Sequence, residues 1–313
     1  MIYCSIDFIF SNFIPSKTTR VRVTPEVKVI GILAGIVLVL YFGISVYLAS
    51  MIEVPRIPLG ESPASVGLVY EDVSFPSHTD NITLRGWYMP GEKEFAIIMV
   101  SGGIQNRVDP DAGTLEMGKN LVERGFSVLM FDLRGREESE GKGVFLTHDE
   151  RDIRGAVDYI KNRGYPAESI GVIGFSTGAT SSLIFASHEN IAAVISDSSF
   201  ANVTEDLVRK VSIETGIPKL LVKLFVPSTL LMVKMMYGYD TVNLMDTVAD
   251  ARCPILFIYG ELDDLVPMES AYKLFEASGN PLDELWVVPG AGHSQAYKMN
   301  PVGYIDKVTA FFE

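Results

Sequence analysis

Cysteine is almost missing from this chain: its 313 residues hold two, Cys4 and Cys253. No C-x-x-C, H-E-x-x-H or similar ligand spacing occurs, so no metal site is expected and no cofactor is implied. Cys4 precedes a long apolar run and Cys253 opens a predicted buried strand. That placement keeps the two thiols apart and argues against a disulfide between them. A dense Lys/Arg stripe is also lacking, and the formal net charge is −13. Chains that grip nucleic acid carry basic patches to neutralise phosphate, so no nucleic-acid partner is expected. Internal repeats and low-complexity tracts are absent as well.

Charge disappears altogether from Val29 to Ile52, a run of 24 residues. At about 1.5 Å per residue such a helix spans roughly 36 Å, enough to cross a hydrocarbon layer of about 30 Å. The run reads as a transmembrane helix over 29–52. Lys17, Arg20, Arg22 and Lys28 precede it, against Asp7 and Glu26. Positive flanks stay on the cytoplasmic side. Residues 1–28 are therefore expected to be a cytoplasmic segment, with the bulk of the chain outside. A cleaved signal peptide would need small residues at both −3 and −1, and Tyr47-Leu48-Ala49-Ser50 offers no such pair, which favours an uncleaved anchor. Residues 1–14 are apolar but broken by Asp7 and Asn12. The sequons at Asn81 and Asn202 matter only in a source that glycosylates.

With 48% hydrophobic residues, the remainder can build one sizeable core. Residues 53–65, with Pro55, Pro58 and Pro63, read as an extended linker. Residues 66–313 then alternate short apolar runs with helical patterns. Strands are expected at 66–75, 82–89, 95–100, 127–131, 170–174, 191–196, 255–259 and 285–288. Helices are expected at 112–123, 147–163, 177–187 and 268–277, with a closing helix along Val302, Ile305, Val308 and Phe312. This rhythm predicts an α/β fold: a mostly parallel eight-stranded sheet with helices on both faces. From about 200 to 248 the rhythm breaks. That segment is helix-like, is interrupted by Pro218 and Pro227, and is expected to form a helical lid over the C-terminal edge of the sheet.

Gly174-Phe175-Ser176-Thr177-Gly178 joins a predicted strand to a predicted helix. A tight turn there leaves no room for bulky neighbours, which explains glycine two residues to either side of Ser176. The turn lifts the Ser176 hydroxyl above the sheet, and the helix N-terminus adds partial positive charge for a developing oxyanion. A serine hydroxyl needs a base beside it. Of the four histidines, His78, His148, His188 and His293, only His293 follows the last strand, in the loop Gly290-Ala291-Gly292-His293-Ser294. The acid that orients the imidazole is sought in Gly260-Glu261-Leu262-Asp263-Asp264, where two aspartates compete, with Asp197 a further rival. The oxyanion donors are expected to be the backbone N–H of Thr177 and that of Gly103, or less directly Ile104, in Ser101-Gly102-Gly103-Ile104.

With these motifs the chain resembles the α/β-hydrolase superfamily, and within it the branch of serine aminopeptidase-like and prolyl-oligopeptidase-like hydrolases. The resemblance runs from Val66 to Phe312. It is carried by Ile82-Thr83-Leu84-Arg85-Gly86-Trp87-Tyr88, by Phe131-Asp132-Leu133-Arg134-Gly135 with Ser139-Glu140-Gly141, by Asp197-Ser198-Ser199-Phe200 and by Ala291-Gly292-His293. The family's acid loop runs Gly, two residues, Asp, two residues, Val-Pro. Laid on Gly260 and Val266-Pro267, it selects Asp263. Ser101 stands where many relatives have histidine, and Glu137 where many have glycine.

The resemblance implies a serine hydrolase that cleaves ester or amide bonds of a small-molecule or peptide substrate, with Ser176, Asp263 and His293 as triad. Open alternatives are an aminopeptidase-like serine peptidase, an acyltransferase, a lipase-like enzyme, or a non-catalytic binding protein on the same fold. The apolar segment Ile217–Tyr237 is either a lipid-facing lid or the buried side of ordinary lid helices.

Overall fold

The computed structural model describes residues 24–239 and 241–313. Cys4, the basic residues Lys17, Arg20 and Arg22, and the broken apolar stretch 1–14 lie outside the described residues.

Helix α1 runs from Pro25 to Ser50. The chain divides into two compact units at Ile44/Ser45. Within the first unit, Ile30, Leu33, Val37 and Val39 are all more than half exposed. Within the second, Ser45 and Ala49 are fully buried, so the last turns of the helix belong to the body.

The body holds eight strands: β1 (Glu71–Pro76), β2 (Thr83–Met89), β3 (Ala96–Val100), β4 (Ser127–Phe131), β5 (Ile170–Phe175), β6 (Ala193–Asp197), β7 (Ile255–Gly260) and β8 (Glu284–Val288). They form one sheet in the order β1-β2-β4-β3-β5-β6-β7-β8. Its edge is antiparallel, β1 on β2 and β2 on β4. The remaining neighbours, from β4 to β8, are parallel. The sheet is therefore mixed, with the parallel part predominant.

Helices α2 (Thr114–Glu123), α3 (Asp149–Asn162), α4 (Thr177–Ala186), α5 (Val203–Thr215), α6 (Lys219–Tyr237), α7 (Leu244–Ala249), α8 (Met268–Ala277), α9 (Ala296–Met299) and α10 (Pro301–Phe312) complete the body. Strand side chains alternate between the two faces, and this splits the core. Ile98, Leu129, Val172 and Phe257 pack with Ile153 of α3, Leu183 of α4 and Leu274 of α8. Their neighbours Ile97, Val128, Ile173 and Leu256 pack with Met117 of α2 and Tyr304 and Val308 of α10. Central strands buried on both faces read as unbroken apolar runs, which is why they stand out in the sequence.

Several boundaries differ from the sequence reading. The run 66–75 is not one strand. Pro63–Val66 forms a single 3-10 turn closed by Gly67 at φ +81, and pairing starts only at Glu71. Pro227 does not interrupt the lid: it lies inside α6, which is continuous over 19 residues. Pro218 does mark a boundary, as the N-cap of α6. Residues 53–65 lie along the body. The Asn106 side-chain amide donates to the carbonyls of Ile57 and Pro58, and Glu53 bridges to Val144.

Candidate active site

The turn after β5 holds Ser176 at φ +53, ψ −118, a conformation that a side-chain-bearing residue rarely adopts. Its neighbours make the turn possible. A Cβ on Gly174 would lie 2.6 Å from the carbonyl oxygen of Gly178, and one on Gly178 would lie 2.4 Å from that of Val100. Neither backbone group can move, so both positions require glycine. Gly102 meets the same turn from the other side: a Cβ there would fall 2.2 Å from the Phe175 carbonyl oxygen and 2.8 Å from the Ser176 Cβ.

The loops after β7 and β8 bring the other two groups to Ser176. His293 Nε2 lies 2.8 Å from Ser176 Oγ, and His293 Nδ1 lies 2.8 Å from Asp263 Oδ2. The Asp263 side chain is fully buried, and that of His293 is one-fifth exposed. Asp263 is fixed through its other oxygen, which accepts from the N–H groups of Leu265 at 3.0 Å and Val266 at 2.7 Å. Those bonds define the spacing to Val266-Pro267 that singles out Asp263 in the sequence. Gly260 lets the acid and histidine loops meet, since a Cβ there would fall 2.4 Å from the Ala291 carbonyl oxygen. Asp264 contributes its carbonyl oxygen to the Arg209 guanidinium.

The rival Asp197 sits beneath the site and is fully buried. It accepts from the Tyr304 and Ser198 hydroxyls. Burial pushes its carboxyl up to about 7, against the opposing pull of those hydroxyls and of His293. Ser198 and Ser294 both have positive φ, and the Ser198 hydroxyl accepts from the Ser294 N–H at 3.0 Å. This ties the loop after β6 to the histidine loop.

The expected oxyanion donors converge on the same turn. Thr177 opens α4 directly after Ser176. The Gly103 N–H donates to the Thr177 hydroxyl at 2.8 Å. Ile104 follows and is partly exposed.

Sequence reasoning missed Arg136. Its guanidinium is buried and donates to the carbonyls of Ser101 and Gln105, each at 3.0 Å, clamping both ends of the glycine loop. Around it lie Asp149, pushed up to about 7 by burial, and Asp132, pushed up to about 6 by burial. The only sequence signal was its place beside Glu137. Glu137 has φ +46, the conformation that suits the glycine many relatives carry. Its carboxylate meets Arg107 at 3.3 Å. The lid acids part company. Glu205 is exposed, whereas Asp206 is buried and pushed up to about 6 by that burial. His78 pairs with Asp158 on the surface, His148 is the residue before α3 and His188 follows α4.

A hydroxyl bonded to an imidazole that is bonded in turn to a buried carboxylate is the arrangement that activates a serine nucleophile. The fold is that of the α/β-hydrolases. The esterase Pf2001 of Pyrococcus furiosus superposes with a TM-score of 0.71 at 26% identity, over 83% of this chain and 96% of its own. The α/β-hydrolase GrgF from Penicillium superposes at 0.61 with 20% identity, over 78% and 98%. A family model for X-Pro dipeptidyl-peptidases of the S15 family matches residues 78–219. One for the C-terminal part of BAAT and acyl-CoA thioester hydrolases matches residues 154–302. Among curated proteins, the uncharacterized YqkD of Bacillus subtilis is 25% identical over 74% of this chain and 75% of its own length. The uncharacterized Rv2307c of Mycobacterium tuberculosis is 25% identical over 93% and 95%. These matches support the α/β-hydrolase superfamily and a hydrolase activity for the chain.

Proposed function

We propose that the protein is a membrane-anchored serine hydrolase that cleaves ester or amide bonds through an acyl-Ser176 intermediate. The observation that carries this reading is the pair of 2.8 Å contacts linking Ser176 Oγ, His293 and Asp263. His293 Nε2 takes the Ser176 proton as Oγ attacks the substrate carbonyl carbon. Asp263, accepting from Nδ1–H, holds the imidazole in the right tautomer and stabilises its cation. The tetrahedral oxyanion is met by the Thr177 N–H and by that of Gly103 or Ile104; the acyl oxygen displaces the Thr177 hydroxyl from Gly103. The intermediate collapses, the carbonyl re-forms and the bond to the leaving group breaks. The leaving alcohol or amine takes the proton from His293. Water then attacks the acyl-serine with His293 as base; the second tetrahedral intermediate collapses, the acyl–Oγ bond breaks, Ser176 Oγ takes the proton back from His293 and the acid is released.

An ester is the preferred substrate on the strength of the likeness to the Pf2001 esterase. The match to the S15 dipeptidyl-peptidase model supports amide cleavage as the second reading. The anchor reading rests on the apolar length of α1 and its exposed side chains. The orientation with the N-terminus in the cytoplasm rests on its basic flank.

The test is a fluorophosphonate probe on the full chain in detergent, beside Ser176→Ala. Labelling of the unmodified chain alone is expected. A folded, unlabelled chain would favour a binding protein on this fold. Paired assays on p-nitrophenyl esters and on X-Pro amides then separate esterase from peptidase.

A further inference from the structure

In a chain of net charge −13, the segment from Thr215 to Tyr239 carries three lysines, Lys219, Lys223 and Lys234, and no acid. It contains α6, of which only Ser228 and Val233 are buried. Leu220 is 80% exposed, Met235 71% and Leu224 57%. Leu221, Leu231 and Met236 are also exposed, as are Ile213 and Ile217 at the α5–α6 junction. A soluble surface rarely shows so many large apolar side chains together, and such a patch marks an interaction site. Leucine and methionine beside lysine, on a helix with no acid, suit the boundary between lipid headgroups and acyl chains.

The helix is also fastened where the chain leaves the apolar run. The Ser45 and Ser228 hydroxyls meet at 2.7 Å in a buried contact, and the Tyr237 hydroxyl donates to Glu53 at 2.6 Å. Ser45 belongs to the run assigned above to the membrane, and Glu53 directly follows it. On the anchor reading, side chains bonded to these two residues stand near the point where the chain enters the membrane.

We propose that the α5–α6 hairpin seats on an anionic phospholipid surface, with α6 lying in the interface. Leu220, Leu221, Leu224 and Met235 enter the acyl boundary, and Lys219 meets the phosphates beside Lys223, which also lies 3.9 Å from Glu205 of α5. Three lysines spread along 19 residues oppose a second crossing, because each would have to leave the hydrocarbon core. Seated this way, the lid presents the site at Ser176 to acyl substrates held in the bilayer. The proposal rests on the anchor reading, so the experiment reports on both.

Single cysteines at positions 220, 36 and 69 are placed in a Cys4→Ser background, labelled with an environment-sensitive fluorophore and reconstituted as the full chain. The vesicles contain phosphatidylcholine with or without phosphatidylglycerol, and lipid-borne spin labels at shallow or deep positions serve as quenchers. Position 36 reports the anchor. Position 69, where Val69 is 81% exposed, is the water control. Position 220 is expected to be quenched mainly by the shallow label and more strongly with phosphatidylglycerol. The ratio of seated to free hairpin should fall about fivefold for each lysine neutralised to glutamine. Quenching at 36 with position 220 as unquenched as 69 overturns the hairpin proposal and leaves the anchor. Quenching at 220 but not at 36 overturns the anchor and supports the hairpin. Equal or deeper quenching at 220 by the deep label overturns the interfacial placement in favour of a crossing. Shielding of 220 without lipid quenching, growing with protein density, overturns the lipid occupant in favour of a second copy.

Discussion

Leu183 and Leu220 are the same side chain in two different solvents. Leu183, in α4 directly after the nucleophile turn, is fully buried between sheet and helices; Leu220, at the start of α6, is 80% exposed. The difference extends to their surroundings. Around Ser176 almost every loop is pinned by backbone bonds, buried carboxylates or glycines that admit no Cβ. The hairpin is held by a few side-chain contacts, and much of its apolar surface faces outward. The first region is built to hold three side chains within tenths of an ångström. The second is built to meet something else.

The sharpest way to test the first region is to remove its reactive atom. Ser176→Ala should lower kcat by about 10⁶-fold with the thermal transition little changed, measured by ester turnover beside calorimetry. Next comes the leucine contrast itself. Leu183→Ala should destabilise by about 2–5 kcal/mol because it opens a cavity. Leu220→Ala, on the exposed part of α6, should stay within about 0.5 kcal/mol. Denaturant titration of both would break the comparison if the two losses were alike. Arg136→Gln should loosen the glycine loop held through Ser101 and Gln105, lowering kcat/KM by about 10²-fold, whereas Lys223→Gln on the hairpin should leave turnover of a short soluble ester unchanged.

The smallest effect concerns pH. Asp197 has its carboxyl raised from 3.8 to about 7 by burial. An acid raised on folding favours the folded state while protonated. Its contribution is full below about pH 4 and is lost as the pH rises to about 7. In Asp197→Asn that part of the decline in melting temperature should vanish.

Much of the candidate site was legible because its chemistry demands local patterns. Glycine flanks Ser176 because backbone oxygens fill the space a Cβ would need. Asp263 was told from Asp264 by the family's acid-loop pattern, and in the structure its second oxygen accepts from the N–H groups of Leu265 and Val266. The buried strands from β3 to β7 were readable as apolar runs because both faces are covered. The start of β1 was not, since Leu68 and Val69 are apolar without pairing. Pro227 was misleading as a break, because the packed helix runs on through it. Arg136 was invisible as a clamp: its partners are two carbonyls more than thirty residues away, and a carbonyl leaves no trace in sequence.

The sequence by itself determined the order of the buried strands, the apolar run at 29–52 and the glycine-flanked turn around the candidate Ser176, because periodicity and tight turns are local properties. Only the tertiary structure decided that Asp197 lies under the site bonded to Tyr304, that Thr177 occupies the Gly103 donor, and that the apolar face of α6 points outward. Each of these depends on which distant segments pack together, and sheet order and loop contacts set that across 74 residues of chain for Gly103 and Thr177 and 107 for Asp197 and Tyr304.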